Sequence, residues 1–176
     1  SNYVDTNLFK PLLELKNKED ETVLLFIGRL NKQKNLENLI LALENLDKIR
    51  LQIVGSGELE KDLKYLAKQK RVEVDFLGNK LHEELPKFIN HADIFVFPSL
   101  YEGNPKVLLE AMSCAVPILA TKVSGIKNIV RHKYNAVVVE TSVEEIKQGL
   151  EELIGDRELQ KKIGGRARDY IIKNNS

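Results

Sequence analysis

The stretch TVLLFIGRLNKQKNLENLILALENL, residues 22–46, joins two hydrophobic patterns of different period. The first, TVLLFIG, is an apolar run that ends in Gly28, as expected of a parallel strand buried on both faces. The second, NLENLILALENL, places Leu36, Leu39, Ile40 and Leu43 at helical spacing, which predicts an amphipathic helix. A buried strand followed after a short loop by such a helix is the first half of a β–α–β unit.

The same alternation continues along the chain. Further strands are predicted at RLQIVG, VEVDFLG, IFVFPS, VPILAT and NAVVVE, and helices at residues 58–69, 81–92, 104–114 and 142–174, the last with a break near Gly155. Pro86 is expected in the first turn of its helix, where no backbone N–H is needed. Strands that alternate with helices predict an α/β fold, a Rossmann-like doubly wound parallel sheet of about six strands with helices on both faces.

Composition excludes several classes of protein. The chain has 176 residues, enough for one domain with a substantial core. With 27 basic and 26 acidic residues its net charge is +1, which gives no argument for a nucleic-acid partner. The single cysteine, Cys114, rules out an internal disulfide or a multi-cysteine metal site, and we expect it to be a small buried residue. No apolar run reaches the roughly 18 residues of a membrane helix.

The residues that follow each strand are candidates for function, because ligands of doubly wound sheets bind outside the carboxyl ends of the strands. After the first strand, Arg29, Lys32 and Lys34 form a basic loop before a helix, which is either a diphosphate site or a solvated loop. After the second strand, VGSGEL is a tight glycine turn, most simply a plain turn into a helix. After the third, backbone groups of Leu77 and Gly78 could meet the edge of a base.

The fourth strand is followed by a helix whose first residues are predicted from YEGNPKVLLEAM, residues 101–112. Asn104 followed by Pro105 matches an N-cap with proline at the first helical position. The helix is therefore predicted to start at Pro105. It should direct the N–H groups of Lys106 and Val107 toward the strand-end crevice.

The same stretch contains two carboxylates. Glu110 stands in an otherwise apolar part of the helix, so it lies either on an exposed stripe or beside a polar partner. Glu102 lies in the loop that precedes the helix. Two carboxylates in one crevice can accept hydrogen bonds from the hydroxyls of a sugar or a ribose.

Other polar residues carry weaker signals. The histidines at positions 82, 91 and 132 are scattered along the chain, and each is expected to be structural or solvated rather than a metal ligand. After the fifth strand, Ser124 and Gly125 open either another helix or a simple turn.

These stretches resemble the C-terminal domain of the retaining glycosyltransferase family 4, often called glycosyltransferase group 1. The resemblance covers nearly the whole chain and is strongest in YVDTNLFKP, GRLNKQKN and ADIFVFPSLYEGNPKVLLEAMSCAVPILAT, where two glutamates are separated by seven residues. It implies the GT-B fold, in which two Rossmann-like domains enclose the active site. This chain would be the donor domain of a metal-independent enzyme that moves a hexose from a UDP- or GDP-sugar to an unknown acceptor, with no cofactor.

The resemblance also implies roles for individual residues. Arg29 and Lys34 would neutralise the donor diphosphate, and Glu102 would address the donor sugar, so that these three carry the catalysis. Glu110 would hydrogen-bond the ribose hydroxyls. The remaining donor contacts implied are Gly28, Gly55, Leu77, Gly78, Gly103, Asn104, Pro105, Lys106 and Val107.

The resemblance further divides the chain. Residues 1–20 are expected to be an interdomain linker and the start of the domain, and residues 21–176 the nucleotide-sugar-binding domain. An N-terminal acceptor domain and a terminal crossover helix would then be absent, and the fragment alone would be inactive. The expected compartment is the cytoplasm, with the cytoplasmic face of a membrane as the alternative for the full-length protein.

Two departures from the family pattern leave another function open. Asn104 stands where the family commonly has an aromatic residue, and Asn128 where many members have glutamate. The alternative is a catalytically inert nucleotide-sugar-binding or scaffold module of the same fold. A GT-B epimerase or phosphorylase is a weaker alternative, since no cofactor-bearing lysine can be identified for a phosphorylase.

Overall fold

Six parallel strands form the sheet at the centre of the computed structural model, which describes residues 2–176. The strands are β1 (Thr22–Ile27), β2 (Ile49–Val54), β3 (Val74–Gly78), β4 (Ile94–Phe97), β5 (Ile118–Thr121) and β6 (Val137–Val139). Their order across the sheet is β3-β2-β1-β4-β5-β6, and each adjacent pair is parallel. The order reverses between β1 and β4, which confirms the predicted doubly wound sheet.

In residues 2–176, six α-helices cover the two faces of the sheet. They are α1 (Leu36–Leu43), α2 (Glu60–Lys70), α3 (Leu85–His91), α4 (Lys106–Ser113), α5 (Val143–Ile154) and α6 (Arg157–Asn174). The apolar side chains of α1, α2 and α5 pack together on one face, and those of α3 and α4 with the end of α6 pack on the other. Because β4 and β5 are buried along their whole length, both strands lie between these two layers.

The start of α4 differs from the prediction. The first bond within the helix runs from the Leu109 N–H to the Pro105 carbonyl at 3.1 Å, so Pro105 is the capping residue and the helix begins at Lys106. Asn104 makes no capping bond with its side chain, and its prediction as the N-cap was wrong. Proline takes this place because the capping position needs only its carbonyl. The other helical proline, Pro86, lies in the first turn of α3 as predicted.

Two further predictions have clear outcomes. Ser124 and Gly125 open a series of turns rather than a helix. Cys114 is buried at the end of α4 as expected, and this burial raises the pKa of its thiol to about 12. The thiol therefore stays protonated at neutral pH and packs as a small apolar group.

The segment before β1, which was predicted as an interdomain linker and the start of the domain, packs against the domain. Val4 and Phe9 are fully buried in the layer that contains α3, α4 and α6. The Val4 N–H donates to the carbonyl of Asn175 at 2.8 Å, and the Asn175 side chain donates to the carbonyl of Asn2 at 2.9 Å. The two ends of the described chain therefore lie side by side.

Within residues 2–176, no helix combines the length and apolar character needed to cross a bilayer. The longest of these helices, α6, packs closely at Gly164 against Ala115, which precedes β5. A Cβ atom added at Gly164 would lie 2.2 Å from the carbonyl oxygen of Ala115, whereas one added at the next residue, Gly165, would meet no atom within 4 Å.

We expect the two adjacent glycines of α6 to respond oppositely to alanine. Gly164→Ala should lower the free energy of unfolding by about 1–3 kcal/mol, because the helix must shift away from Ala115. Gly165→Ala should raise it by about 0.5–1 kcal/mol, because alanine favours the helix and restricts the unfolded chain. Urea unfolding followed by circular dichroism measures both values. Equal effects of the two substitutions would contradict this packing of α6.

Candidate functional site

Three glycines lie side by side where β1, β2 and β3 end. The Gly28 N–H donates to the carbonyl of Val54 at 3.0 Å, and the Gly55 N–H donates to the carbonyl of Gly78 at 2.9 Å. A Cβ atom on Gly55 would lie only 1.9 Å from the carbonyl oxygen of Gly28. Gly55 also has a φ of +137°, which side chains disfavour. This part of the sheet edge is therefore bare backbone that a ligand can approach closely.

A cleft of about 250 Å³ opens at these glycines. It is lined by Ile27, Gly28, Arg29, Val54, Gly55, Ser56, Asn79, Lys80 and Leu85. Arg29 is exposed and forms no ion pair with any residue in the range 2–176. Its guanidinium is therefore available to an anion in the cleft. Leu77 lies instead on a larger, open groove of about 940 Å³ along β3 and α2, which includes none of the loops at the strand ends.

Hydrogen bonds of Gln33 and Asn35 join the loop after β1 to the loop after β4. Gln33 accepts a backbone hydrogen bond from Leu100 at 2.8 Å, and its side chain donates to the carbonyl of Tyr101 at 3.0 Å. The buried Asn35 side chain donates to the carbonyl of Pro98 at 3.0 Å. These bonds cross the point where the strand order reverses, so they hold the two loops together.

Lys34 and Glu102 form an ion pair between these two loops. The Lys34 ammonium lies 3.1 Å from Oε2 of Glu102, and the Ser99 hydroxyl donates to the same oxygen at 2.9 Å. Only 3% of the Glu102 side chain and 16% of the Lys34 side chain are exposed. The structure thus brings together two residues that were predicted to have separate roles.

The loop after β5 supports the same carboxylate. The Thr121 hydroxyl donates to the carbonyl of Ser99 at 2.6 Å, which fixes the residue that holds Glu102. A Cβ atom on Gly125 would lie 1.9 Å from the carbonyl oxygen of Glu102, so the two loops are in close contact. Ser99 and Thr121 were not singled out from the sequence, although both lie at the end of a predicted strand.

Glu110 is buried, so of its two alternatives, an exposed stripe or a polar partner, the structure supports the polar partner. Its side chain is 4% exposed, and its Oε2 lies 2.6 Å from Nε2 of His82. Its other oxygen, Oε1, accepts no hydrogen bond from the described part of the chain. The polar partner of this carboxylate in the described chain is therefore His82.

His82 was predicted to be structural or solvated. It is exposed and contacts Glu110, so the structure agrees with that prediction and adds a partner that the sequence did not show. It lies in a turn of 3-10 helix, His82–Glu84, between β3 and α3. Its position shortly after a strand is the signal that could have identified it, since residues at strand ends had been considered candidates. Its partner lies 28 residues further along the chain, a separation that no local pattern reports.

The residues at the start of α4 are largely accessible to solvent and therefore to a ligand. Gly103, Asn104 and Lys106 are exposed, Val107 is half-buried, and Pro105 is buried. A Cβ atom on Gly103 would meet nothing within 4 Å. The N–H groups of the first turn have no hydrogen-bond partner among residues 2–176, which leaves them free for an anion.

Comparison with known proteins identifies the family of this chain. Residues 13–170 match the family model described as glycosyl transferases group 1. An uncharacterized glycosyltransferase of Methanocaldococcus jannaschii is 31% identical over 161 residues, which cover 90% of this chain and 46% of that protein. The chain thus spans about half the length of this relative.

Solved structures share the fold. The C-terminal domain of a glycosyl transferase group 1 family protein (LpcC) from Francisella tularensis superposes with a TM-score of 0.85 at 25% identity, over 97% of both chains. Anabaena Alr3699/HepE in complex with UDP-glucose superposes with a TM-score of 0.89 at 24% identity, over 98% of this chain and 52% of that one. The second likeness is one of fold alone.

We expect the buried ion pair to be costly to break from one side. Lys34→Met leaves the Glu102 carboxylate buried with only the Ser99 hydroxyl, and should lower the free energy of unfolding by an amount approaching the roughly 3–5 kcal/mol of a broken buried pair. The double variant Lys34→Met/Glu102→Gln should recover most of this loss, because no charge remains buried.

The exposed ion pair between Lys48 and Asp20 is the matched control, with side chains 61% and 83% exposed. Lys48→Met should leave the urea midpoint almost unchanged. If Lys34→Met were equally silent, the pair with Glu102 would not be held as tightly as its burial implies.

Proposed function

Because the chain belongs to the glycosyl transferases group 1 family, we propose that it is the nucleotide-sugar-binding domain of a retaining glycosyltransferase. The enzyme would move a hexose from a UDP- or GDP-sugar to an acceptor, with no metal ion or cofactor. The observation that carries this proposal is the pairing of Lys34 with Glu102 at the point where the strand order reverses. Doubly wound sheets bind their ligands at this point.

The basic loop after β1 is suited to the donor diphosphate. Arg29 is exposed on the cleft and free to bind a phosphate directly. Lys34 is already paired with Glu102, so a phosphate would share its ammonium rather than find it free. Together the two cations would neutralise the charge that develops on the leaving diphosphate. The unpaired N–H groups at the start of α4 add a further favourable field for an anion.

The bare glycine edge is suited to the nucleoside. A base and a ribose can approach Gly28 and Gly55 closely because no side chain stands between them. Glu110 has one carboxylate oxygen without a partner in the described chain, and this oxygen can accept a ribose hydroxyl. The UDP-glucose bound by Anabaena Alr3699/HepE supports a nucleotide-sugar donor for this chain as well.

The donor sugar would then lie near Glu102. Its carboxylate has Oε2 occupied by Lys34 and Ser99, while no residue of the described chain donates to Oε1. Exposed Gly103 and Asn104 border this position. We propose that Oε1 of Glu102 accepts a hydroxyl of the hexose and thereby orients the sugar for transfer.

Nucleoside diphosphate binding tests the role of the basic loop. We expect Arg29→Ala to weaken the binding of UDP or GDP by about 1–3 kcal/mol, the worth of a charge-assisted hydrogen bond, with a smaller effect on the monophosphate. Calorimetric titration measures both affinities. Lys32→Ala is the matched control, because Lys32 lies in the same loop but does not line the glycine cleft. An unchanged affinity in Arg29→Ala would remove the diphosphate role from this residue.

Turnover by the full-length protein tests the proposal as a whole. Glu110→Lys should abolish transfer, since the lysine places a buried positive charge where a ribose acceptor is needed. A retaining enzyme should give a product with the anomeric configuration of its donor, which proton NMR of the product resolves, and added EDTA should leave the rate unchanged. Transfer by the Glu110→Lys variant would reject the role of Glu110, and an inverted product would reject the retaining mechanism. No transfer by the wild-type full-length protein would favour an inert module.

A further inference from the structure

We infer that His82 is a positioning residue, which orients the Glu110 carboxylate so that it can recognise the two hydroxyls of a ribose. The inference rests on the proposed function, because it assigns the ribose to Glu110. Its direct basis is the 2.6 Å contact between Nε2 of His82 and Oε2 of Glu110, in which an exposed imidazole meets a nearly buried carboxylate.

Glu110 needs such a partner because of where it lies. Its helical neighbours Leu109 and Ala111 are fully buried, so the carboxylate has little access to water. An ionised carboxylate in these surroundings is unfavourable unless it accepts hydrogen bonds. Because a carboxylate only accepts, Nε2 of His82 must carry the hydrogen of this bond. The bond therefore fixes the rotamer of Glu110.

His82 is itself held in place by the segment before β1. The ring of Phe9 lies 5.1 Å from the imidazole between centroids, tilted by 53°. Phe9 is fully buried, and its carbonyl accepts hydrogen bonds from the Ser113 hydroxyl at 2.5 Å and from Arg168 at 3.1 Å. Ser113 belongs to the same helix as Glu110, so the aromatic support and the carboxylate are fixed to one element.

The two oxygens of the Glu110 carboxylate therefore differ: one is bonded to His82 and the other is open to a ligand. Oε2 accepts from His82, while Oε1 has no donor in the described part of the chain. The 2′- and 3′-hydroxyls of a ribose could then bind Oε1 and the remaining lone pair of Oε2. Without His82 the carboxylate could rotate, and its discrimination in favour of a ribose would fall.

The experiment compares a nucleoside diphosphate with an analogue that lacks both ribose hydroxyls. UDP or GDP, whichever the protein binds, is titrated calorimetrically beside its 2′,3′-dideoxy form. We expect His82→Ala to weaken the binding of the ribose form about 10-fold, which corresponds to about 1.4 kcal/mol, and to leave the dideoxy form unchanged. His82→Gln should restore much of the lost affinity, because its amide can still donate to the carboxylate.

Glu83→Ala is the matched control, since Glu83 is exposed in the same turn and no bond of its side chain is found among residues 2–176. It should leave both affinities unchanged. In the full-length enzyme, His82→Ala should raise KM for the donor with little change in kcat, because the ribose is bound equally in the ground and transition states. A purely structural role would weaken the ribose and dideoxy forms alike.

The outcomes separate this inference from the proposed function. If wild-type protein prefers the ribose form and His82→Ala keeps that preference, the role of His82 is refuted while the donor site stands. Tighter binding of the ribose form by His82→Ala would also refute it, since the imidazole would then compete with the ribose. If wild-type protein binds no nucleoside diphosphate, or binds both forms equally, the assignment of Glu110 fails and the inference fails with it.

Discussion

The parallel pairing of β1 with β2 on one side and β4 on the other is the constraint on which the rest of the structure depends. Parallel strands end at the same edge, so the loops after all of them meet there. On the β2 side the edge is made of glycine backbone, and on the β4 side it carries the charged pair of Lys34 and Glu102. One edge of the domain thus combines open glycine backbone with a hydrogen-bonded pair of charged side chains.

The two buried carboxylates at this edge of the sheet have similar hydrogen-bonding arrangements. Glu102 and Glu110 each have one carboxylate oxygen occupied by a side chain from a different loop, and neither has a described partner for the other oxygen. The occupied oxygen offsets the cost of removing the charge from water. The other oxygen keeps the capacity to accept a hydrogen bond. A fully satisfied carboxylate would be more stable but could not recognise a hydroxyl.

The fold followed from the sequence more completely than the site did. Continuous apolar runs identified the buried strands, and helical spacing identified the helices, because both patterns report which residues face the core. The apolar neighbours of Glu110 also argued against an exposed position. Pattern does not report which loops meet, however. Lys34 and Glu102 are 68 residues apart, and His82 and Glu110 are 28 apart, so these pairs depend on the geometry of turns. The start of α4 was misjudged by one residue, because Pro105 was expected inside the helix rather than at its cap.

The contact between the two ends of the described chain has a topological consequence. Val4 and Asn2 hydrogen-bond to Asn175, so a short peptide could join the ends without disturbing the sheet. The polypeptide could then be opened elsewhere, at an exposed turn such as the one after α1, to give a circular permutant with the same packing. The strands could therefore follow one another in a different sequence order and still occupy the same positions in the sheet.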